Sequence, residues 1–286
     1  VTLLNLIEHC SARLQEAGVS FGHGTINAFD EAVWLALWRL GLPLDDLDGV
    51  ADMPLTAAQQ AAIEALIEQR IATRKPAAYL TGEAWLQGLP FHVDERVIVP
   101  RSLIAEVLAE GLIDDWLGTP PQRVLDLCTG NGSLAVLAAL AWPDAEVEAT
   151  DLSADALAVA QLNVERHGLA ARIRLRQGDG LAAAEGRYDL ILCNPPYVNQ
   201  SSMQQLPAEY RAEPSLALAG GADGMDFIRA LLAGVAAHLR PQGALVLEIG
   251  HEREHFEAAF PQLQPLWLET SAGDDQVLLL ATEALA

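Results

Sequence analysis

Arg123–Ala141 reads as a short apolar strand, a turn of small residues and an apolar helix: Arg-Val-Leu-Asp-Leu, then Cys-Thr-Gly-Asn-Gly-Ser, then Leu134–Ala141. No other stretch limits the fold as much. Strand, glycine turn and helix in this order form the first, nucleotide-binding unit of doubly wound α/β sheets. Gly130 and Gly132 lack a Cβ, so the backbone there can approach a ligand closely. Asp126 lies in the strand and is placed to accept from an ammonium group. A second acid, Asp151, ends the next apparent strand, Glu146–Thr150. A separation of roughly 20 residues suits a carboxylate that accepts both ribose hydroxyls. A plain structural turn would not need both acids, so the pair points to a nucleoside cofactor.

The sheet continues downstream. Ser153 is placed to cap a helix from Ala154 to His167, which Gly168 ends, and Arg172–Gln177 reads as a third strand. Gly178-Asp179-Gly180 leaves the sheet where an adenine would lie; Asp179 either accepts from the adenine amine or serves only the turn. Tyr188–Cys193 is a fourth, buried strand, stopped by Asn194-Pro195-Pro196-Tyr197. Neither proline can donate to a ladder, and each holds the residue before it extended. The result is a stiff loop at a strand's carboxyl end. It offers the Asn194 amide oxygen, the Pro195 carbonyl and the Tyr197 ring, a set suited to holding a planar N–H₂ group. Ser201–Ala219 reads as a long loop covering the site. A helix over Met225–Leu239, a turn at Pro241-Gln-Gly243, a fifth strand (Ala244–Ile249), a helix (His251–Phe260) and an antiparallel pair (Leu266–Glu269, Gln276–Leu280) complete the pattern.

Upstream the period is helical. Thr2–Ala17, Glu31–Leu40 (capped by Asn27 or Asp30) and Ala57–Thr73 (capped by Thr56) make a small helical domain, residues 1–80. His23 and Trp34 read as packing and turn residues before substrate contacts. Residues 81–101 read as a connector, with strands Ala84–Gln87 and Phe91–Val99 around Gly88-Leu89-Pro90. Arg101 either touches a cofactor carboxylate or substrate backbone, or is an exposed loop charge; the second reading is favoured. Ser102–Leu117 is expected as one helix that opens the domain 102–286.

The chain has 286 residues, of which 51% are hydrophobic, so a sizeable core is available. Its formal net charge is −22 and Lys75 is its single lysine. Such a surface repels nucleic-acid phosphate and anionic lipid and attracts basic partners. No apolar run reaches membrane-spanning length, and Val1–Cys10 shows no signal-peptide pattern. Cys10, Cys128 and Cys193 lack metal spacing and read as free thiols in a reducing cytoplasm. No metal is expected.

The order of units resembles a class I S-adenosylmethionine-dependent methyltransferase: a Rossmann-like, seven-stranded, mostly parallel sheet with a small N-terminal helical domain. Asn194-Pro195-Pro196-Tyr197 is similar to the motif of enzymes that methylate planar N–H₂ groups. The full length resembles the HemK family of protein-glutamine methyltransferases. Phe21-Gly-His-Gly-Thr25 and Leu206-Pro-Ala-Glu-Tyr-Arg-Ala-Glu-Pro214 are similar to its PrmB branch, which acts on the third large-subunit ribosomal protein (L-three). A sister branch acts on peptide-chain release factors. The resemblance implies S-adenosyl-L-methionine as cofactor, held by Asp126, Cys128, Thr129, Gly130, Asn131, Gly132, Asp151, Asp179, Gly180 and Asn194. It implies that Asn194, Pro195, Pro196 and Tyr197 hold the glutamine. Cys128 stands where this turn commonly has glycine. Competing readings are an adenine amino-methyltransferase, disfavoured by the acidic balance, a non-catalytic cofactor-binding module and an NAD-dependent oxidoreductase. The last two give the Asn194–Tyr197 loop no task.

Overall fold

The computed structural model describes residues 1–285. Local chemistry sets the ends of its first helices. α1 (Leu3–Glu16) is capped by Thr2, whose side chain accepts from the Asn5 amide. α2 (Ala28–Leu40) starts at Asn27, which accepts from the Asp30 amide, and ends at left-handed Gly41. α3 (Ala57–Thr73) opens with a reciprocal Thr56–Gln59 capping box, a device in which the cap alone contributes about 1 kcal/mol. Leu3, Ile7, Leu14, Leu35, Ile63 and Ile67 close a core among the three. A short α4 (Ala77–Thr81) follows, too brief to show a period.

The hairpin differs from expectation. β1 (Glu83–Leu86) pairs antiparallel with β2 (Leu89–His92). The turn is Gln87-Gly88, with φ of 49° and 73°, the two positive values that a tight mirror-image turn requires. Leu89 and Pro90 therefore belong to β2, and Val93–Val99 is irregular. The expected helix Ser102–Leu117 is two helices, α5 (Ile104–Ala109) and α6 (Asp114–Leu117). Gly111, at φ 65°, separates them; the apolar residues on both sides hide the break.

Seven strands build one sheet: β3 (Arg123–Leu127), β4 (Glu146–Asp151), β5 (Ile173–Gln177), β6 (Tyr188–Cys193), β7 (Leu239–Glu248), β8 (Leu266–Thr270) and β9 (Gly273–Ala281). Their order is β5-β4-β3-β6-β7-β9-β8, and β9 alone runs opposite to the other six. Helices α7 (Ser133–Ala141) and α8 (Ala154–Arg166) link the first strands. Between β6 and β7 come α9 (Gln200–Gln205), α10 (Ala208–Arg211) and α11 (Asp226–Gly234), and α12 (Arg253–Ala259) follows β7. The segment expected as an open loop at 201–219 is thus largely short helices. Pro241–Gly243 is a bulge inside β7 rather than a turn before it: Gln242 has φ 65° and the register with β6 shifts there.

Alternation divides the core. Val124, Leu190, Leu192 and Val246 pack with α5 and α7, whereas Leu125, Ile191, Leu245 and Leu247 pack with α11 and α12. From β3 the chain steps outward to β4 and β5, then crosses to β6 on the other flank of β3. Ligands of such sheets sit at this reversal. Leu127 pairs with Cys193, so the glycine turn and the Asn194 loop leave the sheet side by side. Among the described residues no helix is long and apolar enough to cross a membrane.

Candidate active site

A cleft of about 840 Å³, open solvent at its mouth included, lies at the carboxyl ends of these strands. Cys128, Gly130, Asp151, Asp179, Gly180 and Asn194 line it. The Asp151 carboxylate accepts from the Gly130 and Ser153 amides, both at 2.9 Å, and so ties the turn to the end of β4. Burial pushes its carboxyl up against those two bonds. Cys128 sits at φ 63°, a left-handed conformation that costs a non-glycine residue about 1–2 kcal/mol. A side chain at Gly130 would project into open space, with nothing within 4 Å.

Asp126, Thr129, Asn131 and Gly132 stand behind this wall. Strand alternation turns Asp126, wholly buried, away from Leu125 and Leu127. One of its oxygens accepts from the Thr129 hydroxyl at 2.5 Å and the Ala135 amide at 3.0 Å. Burial lifts the carboxyl to about 7 despite these contacts. Asn131 accepts from the Ser133 amide, and its carbonyl accepts from Asn163. A Cβ at Gly132 would lie 3.1 Å from that of Ala160, so this glycine lets α8 close on the turn. The four residues shape the cradle.

Leu152, Leu216 and Phe227, which no sequence motif singles out, supply apolar faces to the cleft, and Thr150 brings a buried hydroxyl with no hydrogen-bond partner among the described residues. Carboxylate, orphaned hydroxyl, glycine-lined turn and apolar faces fit a nucleoside with a flat base.

Beyond Asn194 lies a second cavity, whose wall includes Arg101, Pro195, Tyr197, Tyr210 and Glu248. Asn194, Ile98 and Ala217 belong to the walls of both cavities. The Tyr197 hydroxyl donates to Glu248 at 3.2 Å, and Glu248 also accepts from the Ser102 hydroxyl at 2.5 Å and the Leu103 amide at 2.9 Å. Burial pushes both Tyr197 and Glu248 upward, so Tyr197 is a neutral donor. Glycines make room for it. A Cβ at Gly220 would lie 2.7 Å from the Tyr197 backbone, and one at Gly250 would lie 2.5 Å from its ring. The loop is further held by the Val198 amide, which donates to the Leu218 carbonyl at 2.8 Å.

Arg101 is not a free loop charge, which corrects the favoured reading. It grips Glu213 with two bonds, 2.7 and 2.8 Å. Glu213 also accepts from the Val99 amide at 2.9 Å and faces His23 Nε2 at 3.4 Å. The His23 ring lies 4.2 Å from that of Tyr210, and Gly22 leaves space for the Tyr210 hydroxyl. The two stretches singled out in sequence, 21–25 and 206–214, are therefore interlocked halves of one joint.

That joint predicts an acid response. Burial alone would raise Glu213, but His23 and Arg101 outweigh it and hold the carboxyl at about 2, below its ordinary 4.5. A depressed carboxylate adds stability above pH 4.5 that is lost as pH falls toward 2. The contribution is on the order of 3 kcal/mol. Urea unfolding of Glu213→Gln should show that loss at pH 7 and a flatter decline below pH 4.5; a wild-type pH profile would refute the assignment.

A family model described as methyltransferase small domain matches residues 105–210, and one described as PrmC N-terminal domain matches residues 5–82. A Bordetella pertussis protein named ribosomal protein uL3 glutamine methyltransferase is 57% identical, over 99% of this chain and 96% of its own length. The chain belongs to the ribosomal protein uL3 glutamine methyltransferase family. A relative of the same name from Neisseria meningitidis serogroup B is 49% identical over 99% of this chain and 94% of its own. The crystal structure of a methyltransferase from Pyrococcus furiosus shares the fold of this methyltransferase, with a TM-score of 0.50, 19% identity and coverage of 77% of this chain and 97% of that one. The class I methyltransferase architecture expected from the sequence is therefore the one found.

Proposed function

We propose that this methyltransferase takes its methyl group from S-adenosyl-L-methionine and places it on the side-chain amide nitrogen of a glutamine in the third large-subunit ribosomal protein. The observation that carries the reading is Asn194, which belongs to a nucleoside-shaped cleft on one side and a second cavity on the other. The names of the relatives supply the substrate. Asp151, Gly130, Cys128, Asp179 and Gly180 would hold the cofactor, with Asp126, Thr129, Asn131 and Gly132 keeping their turn in shape. Bound there, S-adenosylmethionine supplies a methyl group already activated on a sulfonium.

The protein's remaining task is position. An amide nitrogen is a poor nucleophile, and alignment at near-attack distance supplies much of the rate. The oxygens of Asn194 and Pro195 accept from the glutamine N–H₂, while the Tyr197 ring, anchored by Glu248, backs its plane. Once the amide nitrogen takes up the methyl group, its hydrogens would be more acidic. Those two acceptors then bind more strongly in the transition state. The surplus proton leaves afterwards to water. In the same reading, residues 1–80 form a substrate-recognition domain, 81–101 its connector and 102–286 the catalytic domain, acting in the cytoplasm.

Methyl-labelled cofactor offered separately with the ribosomal protein, a release factor and nucleic acid tests this. Label should lie on one glutamine of the ribosomal protein by peptide mapping. Label on the release factor or nucleic acid alone would overturn it.

A further inference from the structure

We propose that a tryptophan-lined groove on the helical part is a docking site for a lysine- or arginine-bearing segment of the substrate protein, separate from the cavity that takes the glutamine. The inference rests on the function proposed above. The groove runs between α2 and the β1–β2 hairpin. Trp34 and Trp38, one helical turn apart, and Trp85 of β1 line it. Three of the chain's six tryptophans are gathered there, and the groove shares no lining residue with either cavity described above. Trp85 is 44% exposed. Gathered apolar surface of this kind marks interaction sites, and tryptophan is prominent among residues that dominate binding.

The charge around the indoles selects the occupant. Asp30, Asp45 and Glu83 stand on the groove wall, and Asp46 and Asp48 continue the same loop. Glu83 is already engaged, by Arg166 and by the Trp85 indole N–H. Four of the five cations of the helical part are spent elsewhere, Arg13 on Glu68, Arg70 on Glu31 and Glu209, Arg74 on Glu209 and Lys75 on Glu95; the fifth, Arg39, is exposed at the end of α2 and does not line the groove. Among the described residues, Asp30, Asp45, Asp46 and Asp48 have no ion-pair partner. An aromatic groove with an uncompensated acidic rim favours a side chain with an apolar stem and a cationic head, which the indole face also attracts. A ribosomal protein must carry such side chains to meet RNA phosphate. Nucleic acid would bring phosphate against the rim. A second copy of this chain would bring its own net −22.

A second point of attachment makes presentation of the glutamine intramolecular and raises its effective concentration. The effect belongs in KM for the whole protein and not in turnover. Trp85→Ala and Asp45→Lys, both at exposed positions, should be assayed against the full ribosomal protein and against a short peptide carrying its target glutamine. Each variant should raise KM for the protein about tenfold, the scale of losing one dominant contact, and leave kcat and both peptide constants unchanged. Wild-type enzyme that labels the protein, with variants that keep its KM within about twofold, overturns the docking site alone. Peptide constants that change in parallel also overturn it, because the groove would then act through the catalytic cavity. Wild-type enzyme that labels no glutamine in the protein overturns the functional reading, and the docking site with it.

Discussion

Asn194→Ala is expected to lower turnover about 100- to 1,000-fold, the scale of removing one preorganised polar partner of a transition state, while cofactor affinity changes little. Asn194 begins where β6 ends, so the substitution leaves the pairing of Leu190–Cys193 with β3 and β7 untouched. The loop's course is set by Pro195 and Pro196, and its far end by the Tyr197–Glu248–Ser102 chain. Alanine therefore removes an oxygen from a frame that stays in place. The cleft keeps Asp151 and its two backbone bonds, which is why binding and turnover should separate. Turnover comes from methyl transfer at saturating substrate and affinity from calorimetry with the cofactor. Unchanged turnover would remove Asn194 from the reaction. A loss confined to cofactor affinity would move it to the cofactor's side alone.

The parts of this site that were legible in sequence are those a local pattern encodes. Short apolar runs marked β3 and β6, because a buried parallel strand is apolar on both faces. The prolines marked the end of β6 without any knowledge of its neighbours. Asn27 and Thr56 marked helix starts for the same local reason. What stayed hidden depends on contacts distant in the chain. Glu213 meets Arg101 across 112 positions, and nothing near Arg101 distinguishes a clamped guanidinium from a solvated one. No local pattern marks Gly220 or Gly250, yet a Cβ at either would meet Tyr197. Asp126 was legible as an acid in a strand but not in direction, since alternation fixes a face only once the neighbouring layers are known. The helices α4, α9 and α10 are a turn or so long, below the length at which a 3.6-residue period can be seen.

Arg70→Met should destabilise the protein by about 3–5 kcal/mol, the usual cost of breaking a buried ion cluster by removing one partner. Arg70 is the largest fully buried side chain. Its guanidinium donates to Glu31 at 2.8 Å, to Glu209 at 3.3 Å and to the Ser20 carbonyl at 3.0 Å. Arg74 donates to the same Glu209 at 2.6 Å and to the carbonyls of Ala17 and Gly18. Two carboxylates and two guanidiniums balance. Methionine fills much of the space but leaves one buried negative charge in excess, and Glu31 already has its carboxyl pushed up by burial. Against a typical total of roughly 5–15 kcal/mol, such a loss is readily measured by urea unfolding. Glu31→Gln in the Arg70→Met background should restore part of it, because the excess charge is then gone. The same change should reach the active site. Glu209 lies on α10 directly before Tyr210, which lines the second cavity, so the cluster holds the helical part against the segment that shapes the glutamine's entrance. Catalysis at temperatures where Arg70→Met remains folded should therefore show a raised KM for the protein substrate. A loss of stability below about 1 kcal/mol is what a solvent-exposed pair would give, and it would show that water reaches the cluster and that the joint between the two parts is held by other contacts.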